Sequence, residues 1–444
     1  MPMLSENSPI TFADALPDEV DVVIIGAGVI GVSTAWFLCK AGLSVLICEK
    51  GRVAGEQSSR NWGWVRKQGR DEAEVPIAIK SQEIWQALSE EIEEDLGFRR
   101  EGLIFLAEHE KDLREFEDWM EIAEKYQLDT RLLNATELGQ QLKFSGHRWK
   151  GALHTPSDCK AEPFQAVPAI ARAAQRLGVK IIENCAVRTV ETEAGAVTGV
   201  HTELGFVRAG KVLCAGGAWS STFLANMDIR FPQLLVKGTV ARTTSVADGY
   251  AGGAGSHGCS FRRRADGGYT LSPGNYLEHY VSADSFRYFF DFLPALKMTW
   301  SGMRLRFGDG LMDRLFRKRH WQPDEVTPFE RSRVLNPVPN ASRVRKMENT
   351  MANNLAILGE AKIEEAWAGM IDAPPDFVPV MDELPQHKNF YLASGFSGHG
   401  FGIGPGAGYV MAKMIQAEHI EFDLDRFRFS RFSDGSRLVV GPAL

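Results

Sequence analysis

Residues Asp21 to Lys50, DVVIIGAGVIGVSTAWFLCKAGLSVLICEK, decide the fold. An apolar run, Val22 to Ile25, leads into Gly26-x-Gly28-x-x-Gly31, a helical segment follows, and a second apolar run ends at Glu49, 18 residues past the third glycine. Strand, glycines, helix, strand and terminal acid together form the βαβ dinucleotide fingerprint. Gly26 allows the tight turn, Gly28 lets backbone approach a pyrophosphate, and Gly31 lets the helix pack on the strand. The helix start at Val29 and Ile30 turns its N–H groups and dipole toward the phosphates. Glu49 is placed to accept from a ribose hydroxyl, so the nucleotide is one without a phosphate on that ribose.

The rest of the composition narrows the class. The 444 residues suffice for two domains or one large interrupted one. A net charge of -7 argues against nucleic acid as a partner, because a duplex binder needs a basic face. The six cysteines show no C-x-x-C spacing and read as buried apolar side chains in a reducing compartment. No secretory signal is legible at the start, and no run of about 18 apolar residues exists to span a bilayer. The expected location is cytoplasmic.

Beyond Glu49 the chain reads GRVAGEQSSRNWGWVRKQGRD, a polar and aromatic loop where a nicotinamide domain would place another strand and helix. Ser58, Ser59, Asn61 and the backbone around Trp62 and Gly63 can surround a diphosphate and a ring system. Helices are expected over 74–98, 108–126, 134–142 and 163–177, and strands over 102–107, 179–182 and 186–191. VLCAGGAWS, 212–220, repeats the strand, paired-glycine and helix-start pattern with Gly216 and Gly217. Strands separated by turns fill 231–271. From Tyr276 to about Trp321 the chain becomes aromatic and basic, and a helical insert is expected there. Such an insert can lie against a membrane, giving a peripheral contact on the inner face, or can lid the site or join subunits. Finally GFSGHGFGIGPGAG, 395–408, follows a strand and leads into a helix expected over 409–417, with Pro405 near its first turn.

Taken together, IIGAGVIG, SSRNWGW, VLCAGGAWS, AWAGMIDAPPDFVPV (366–380) and GFSGHGFGIGPGAG resemble the D-amino-acid-oxidase-like superfamily of FAD enzymes over nearly the whole chain. Among its branches the bacterial L-amino-acid deaminases and oxidases and D-amino-acid dehydrogenases look nearest. The resemblance implies an α/β (α+β) protein, with a Rossmann-like FAD-binding domain from 18–80, 155–230 and 355–420. A second, antiparallel-sheet substrate domain would comprise 81–154 and 231–354, carrying the insert at about 277–325. It also implies an extended, non-covalent FAD held by Gly26, Gly28, Val29, Ile30, Gly31, Glu49, Lys50, Gln57, Ser58, Ser59, Asn61, Trp62 and Gly63. Val187, Gly216, Gly217, Gly398, His399, Gly400, Phe401 and Gly402 complete that set.

One departure matters. Where many relatives carry Trp-Ala-Gly-Leu-Arg-Pro with a substrate-gripping arginine, this chain has Trp367-Ala-Gly-Met-Ile371-Asp372. A carboxylate clamp is therefore expected from Arg263 or Arg262 in the FRRRADGGYTL hairpin, where strand alternation sends one or two arginines inward. Gln68 and Trp367 are expected to complete the pocket, and Asp372, Glu364 or Glu365 to favour a cationic or polar side chain. The expected chemistry is oxidative deamination of a free amino acid, by hydride transfer from Cα to the flavin without an obligatory protein base. Oxygen or a quinone would reoxidise the flavin, and both D and L substrates are compatible with the sequence. A secondary-amine oxidase and an electron-transfer or membrane-docking flavoprotein subunit are the competing readings.

Overall fold

The computed structural model describes residues 3–142, 149–247, 250–274, 276–300, 302–308, 311–354, 358 and 360–441. The expected domain boundary near 355 lies outside them. The fingerprint folds as β1 (Glu19–Ile25), α1 (Val29–Lys40) and β2 (Val45–Glu49). Further elements around the site are α2 (Val75–Glu91), α3 (Pro163–Leu177), β3 (Lys180–Glu183), β4 (Gly205–Cys214), β5 (Leu234–Thr243), β6 (Ile363–Ala373), β7 (Phe390–Ser394) and α4 (Gly400–Ile415).

In the first sheet β1 pairs in parallel with β2 and β4, β2 with β3, and β4 with β7. Val22, Val23 and Ile24 are wholly buried, as befits a parallel strand covered on both faces. The register sets Ile25 opposite Cys48 and Cys214, so Gly26, Glu49 and Ala215 emerge at one carboxyl edge. Ligands of open α/β sheets bind at that edge. A second, ten-stranded sheet is built round β5 and β6, which run antiparallel from Leu234 opposite Ala373 to Thr243 opposite Ile363. Residues 363–373, assigned from sequence to the nucleotide-binding portion, thus belong to the other sheet. Their ladder partner, β5, lies more than a hundred residues earlier in the chain.

Three further expectations are corrected. The helix expected to reach Phe98 ends at Glu91, where Ile92 turns extended; Gly97, at φ +65°, lies beyond it. The insert is only partly helical, because Leu277–Tyr280 and Met303–Arg306 form parallel strands that extend the second sheet, with short helices between and after them. Helix α4 begins at Gly400, nine residues before the expected Tyr409. Its glycines are contact surface: a Cβ at Gly404 would stand 2.7 Å from Val29, and one at Gly408 2.6 Å from Ser33, both on α1. On its other side a Cβ at Gly406 would meet Ile77 and Ser81 of α2.

Pro405 thereby falls inside α4. The ladder is repaired by a neighbour: the Ser81 hydroxyl donates to the Gly402 carbonyl at 2.7 Å and accepts the Gly406 N–H at 3.1 Å. Trp85 Nε1 donates to the same carbonyl at 3.1 Å. Helices α2 and α4 are clasped at this turn.

Candidate active site

Two cavities of about 870 and 1360 Å³ share Gly28, Gln57, Ser58, Ala215, Gly217 and Asp372, and so form one continuous slot. At one end Glu49 accepts from Ala27 N–H (2.9 Å) and Gly51 N–H (2.7 Å), which fixes its carboxylate at the tip of β2. Burial raises its pKa. Lys50 and Val187 line the same end, Gly26, Gly216 and Gly217 the turn below it. Helix α1 starts at the slot with no side-chain cap; Ser58 Oγ accepts the Val29 N–H at 2.9 Å. A helix start whose N-cap residue, Gly28, has no side chain, beside a buried carboxylate and in a slot continuous toward a second cavity, fits an extended FAD. Glu49 and Val187 would hold its adenosine, and Gly28, Val29 and Ile30 its diphosphate.

The far end is lined by Asn61, Trp62, Trp64, Tyr276, Gly398, His399, Gly400 and Phe401, and by Gly238, Thr239, Val240, Leu277, Gly369 and Ile371 of the second sheet. Asn61 Oδ1 accepts the Gly63 N–H at 2.7 Å, and Trp62 and Trp64 stand edge-to-face at 4.9 Å. These groups bring together the two stretches expected to flank the flavin ring.

Two guanidiniums enter this end. Arg70 is 3% exposed, and its Nε and Nη1 have no hydrogen-bond partner. Arg66 lies over Trp64 and Phe105 with centroid distances of 5.7 and 5.1 Å and donates to the Gln68 carbonyl. Burial lowers the pKa of both, and Arg70 adds to the fall at Arg66. Among the described residues neither forms an ion pair within 4.0 Å. The two nearby acids are engaged: Asp158 accepts from Lys67 N–H (2.8 Å) and Gln82 (3.0 Å), and Glu74 stands 3.3 Å from His399 Nδ1. A buried arginine with two unpaired donors on a cavity wall has the chemistry to hold an anion.

The expected substrate residues lie elsewhere. Arg262 does point inward, but it is spent on Glu162 at 2.8 and 3.0 Å and on the Trp62 carbonyl. Arg263 donates to the Val246 carbonyl (2.8 Å) and to Tyr269. Trp367 is locked by its Nε1 on the Arg60 carbonyl, and Gln68 is buried against Thr155; none of the four lines the slot. Gly31, Ser59, Gly63 and Gly402 also sit behind the wall. Gly31 packs on Gly26 and Ile24, Gly63 on Ala161 and Arg262, and Gly402 on Trp64 and Val65, while Ser59 Oγ bonds the Glu56 carbonyl at 3.3 Å. Of the acids expected to favour a cationic side chain, Asp372 lines the slot and Glu364 and Glu365 do not. Asp372 accepts from Gly395 N–H, Gln233 and Ser394, with its pKa raised by burial, and Glu364 and Glu365 pair with Arg242. Sequence reasoning missed Arg66 and Arg70. Their one signal was two cations four residues apart in the tryptophan-rich loop after the fingerprint.

The model of the FAD dependent oxidoreductase family (DAO) matches residues 21–414. The sarcosine oxidase subunit beta of Arthrobacter sp is 25% identical over 97% of this chain and 97% of its own. Human mitochondrial sarcosine dehydrogenase is 24% identical over 94% of this chain, which spans only 42% of that protein. The structure of L-amino acid deaminase from Proteus myxofaciens in complex with anthranilate superposes with a TM-score of 0.92 at 29% identity, covering 97% of both chains.

Proposed function

Because the chain belongs to the DAO family of FAD-dependent oxidoreductases, we propose that it oxidatively deaminates a free amino acid whose carboxylate is held by Arg70, with Arg66 beside it. FAD, when bound, supplies the hydride acceptor. The observation that carries the reading is the buried Arg70 guanidinium with Nε and Nη1 idle on the cavity wall. A carboxylate there would satisfy both donors and anchor Cα at the ring end of the slot. On the remaining wall Arg60 and Asp372 are engaged by the protein's own groups, and Thr239, Val240, Leu277 and Ile371 suit an uncharged side chain. That replaces the cationic preference expected from sequence, whose acids are engaged.

The test is anaerobic loss of the flavin's visible absorbance with both enantiomers of the common amino acids, followed by assay of 2-oxo acid and ammonia. Readmission of air or addition of a quinone then identifies the oxidant. Failure of every amino acid to reduce the flavin overturns the reading. Secondary-amine oxidation is the second reading, favoured by the sarcosine-named relatives. It predicts an aldehyde and a primary amine in place of ammonia.

We also propose that the insert docks on an anionic membrane surface. Phe286, Phe290, Trp300, Phe307, Met312 and Phe316 are each more than 60% exposed, with Arg287, Lys297, Arg304 and Lys318 exposed among them. Aromatic and basic groups presented together suit a headgroup interface. No helix among the described residues is long and apolar enough to cross a bilayer. Flotation with phosphatidylserine vesicles, lost in Phe290→Ser/Trp300→Ser and in high salt, is the expected result. Binding equal to that of neutral vesicles refutes it.

A further inference from the structure

His399 is a titratable group on the cavity wall that the reading above leaves unused. It is the residue immediately before α4, 4% exposed, and its ring faces three charged groups: Glu74 at the start of α2, and Arg66 and Arg70 in the loop before it. Residues 400–408 of its own helix bring no charge to it. Nδ1 lies 3.3 and 3.5 Å from the two Glu74 oxygens, while Nε2 is buried without any hydrogen-bond partner.

The tautomer follows from that geometry. Burial alone would raise Glu74, but a hydrogen bond from His399 and the facing guanidiniums of Arg70 and Arg66 keep the carboxyl below its ordinary value. An ionised Glu74 only accepts, so the imidazole proton belongs on Nδ1 and Nε2 carries a bare lone pair. Burial, with Arg70 beside the ring, pulls the imidazole down to about 4. The ring is neutral at working pH, and Nε2 is an acceptor throughout.

We infer that His399 Nε2 accepts a hydrogen bond from the amine of the bound substrate, and that Glu74 is the positioning residue that keeps this nitrogen an acceptor. The inference rests on the amino-acid reading above. With the carboxylate on Arg70 and one amine N–H on His399, the substrate is fixed at two points on one wall. The nitrogen lone pair is then free to push when hydride leaves Cα. The arrangement selects primary and secondary amines, which keep an N–H when neutral, over N,N-dimethylated ones, which do not.

The experiment measures anaerobic Kd and reduction rate for a reactive amino acid and its N-methyl and N,N-dimethyl forms, with FAD content recorded for each variant. The wild type is expected to bind the N,N-dimethyl form at least tenfold more weakly than the other two. His399→Leu should erase that discrimination by weakening only the N–H substrates. Glu74→Gln keeps the imidazole but can donate to Nδ1, making Nε2 a donor, and should erase the discrimination as well. Equal losses for all three amines, or lost FAD with discrimination intact, overturn the inference. If no amino acid reduces the flavin, the underlying reading fails instead, which is a separate outcome.

Discussion

Replacing Arg70 by Met should move affinity and stability in opposite directions. Nε and Nη1 are idle in the protein and would each gain a charge-assisted hydrogen bond from a carboxylate. Such bonds are worth about 1.5–3 kcal/mol each. Taking the low end for both, about 3 kcal/mol is lost on truncation, equivalent to roughly a hundredfold rise in Kd. The free protein meanwhile sheds a guanidinium that is 3% exposed and has no ion-pair partner, and whose pKa burial already lowers. Exchanging a buried ion pair for apolar side chains of similar volume is often neutral or stabilising by about 1–4 kcal/mol, and a buried charge without a pair has less attraction to lose. Glu74 and Asp158 attract Arg70 from a distance, so the gain should lie toward the lower figure. The assay pairs anaerobic titration of amino acid or benzoate, followed by flavin absorbance, with thermal unfolding of the same holoenzyme. A lower Tm with unchanged Kd would mean that Arg70 is structural, and the anion site would have to be sought elsewhere.

Other consequences can be checked independently. Gly408→Val places a side chain 2.6–2.8 Å from Ser33 and Thr34 of α1 and should cost about 1–3 kcal/mol in thermal or denaturant unfolding. Glu49→Ala strands the Ala27 and Gly51 N–H groups and removes the acceptor at the adenosine end. Release of FAD on ultrafiltration should rise at least tenfold. Burial alone would raise Glu278, but Arg306, Lys237 and Asn340 hold its carboxyl below its ordinary 4.5. A depressed folded pKa contributes stability that is complete above pH 4.5 and is lost as pH falls through the folded value. The stability gap between wild type and Glu278→Gln should therefore narrow below pH 4.5, and a gap constant across pH 3–7 would count against it.

The nucleotide half was legible because its information is local: three glycines and one acid within 30 residues dictate a turn, a close approach and an edge. Helix α3 was legible for the same reason, from Pro163 at its start to Gly178, left-handed, at its end. Other elements depend on partners distant in sequence. Glycine is a poor helix former, so residues 400–408 read as loop, while their helicity comes from α1 and α2 pressing on bare backbone. Alternation sends one or two of the three arginines inward without saying which, and it gave no hint that Glu162, 100 residues earlier, waits for Arg262. Arg70 was overlooked because an idle buried cation cannot be told from a solvated one until its surroundings are known.

The clasp between Ser81 and the interrupted turn around Pro405 bears on how this enzyme could change its diet. Arg70 and Glu74 precede α2 and His399 precedes α4, so a single riveted pair of helices sets the spacing of the groups that would grip the reacting end of a substrate. The opposite wall hangs on β5 and β6, strands of a different sheet. Substitutions at Thr239, Val240 or Ile371 can therefore re-tailor the pocket for a new side chain while the machinery at Cα keeps its gauge.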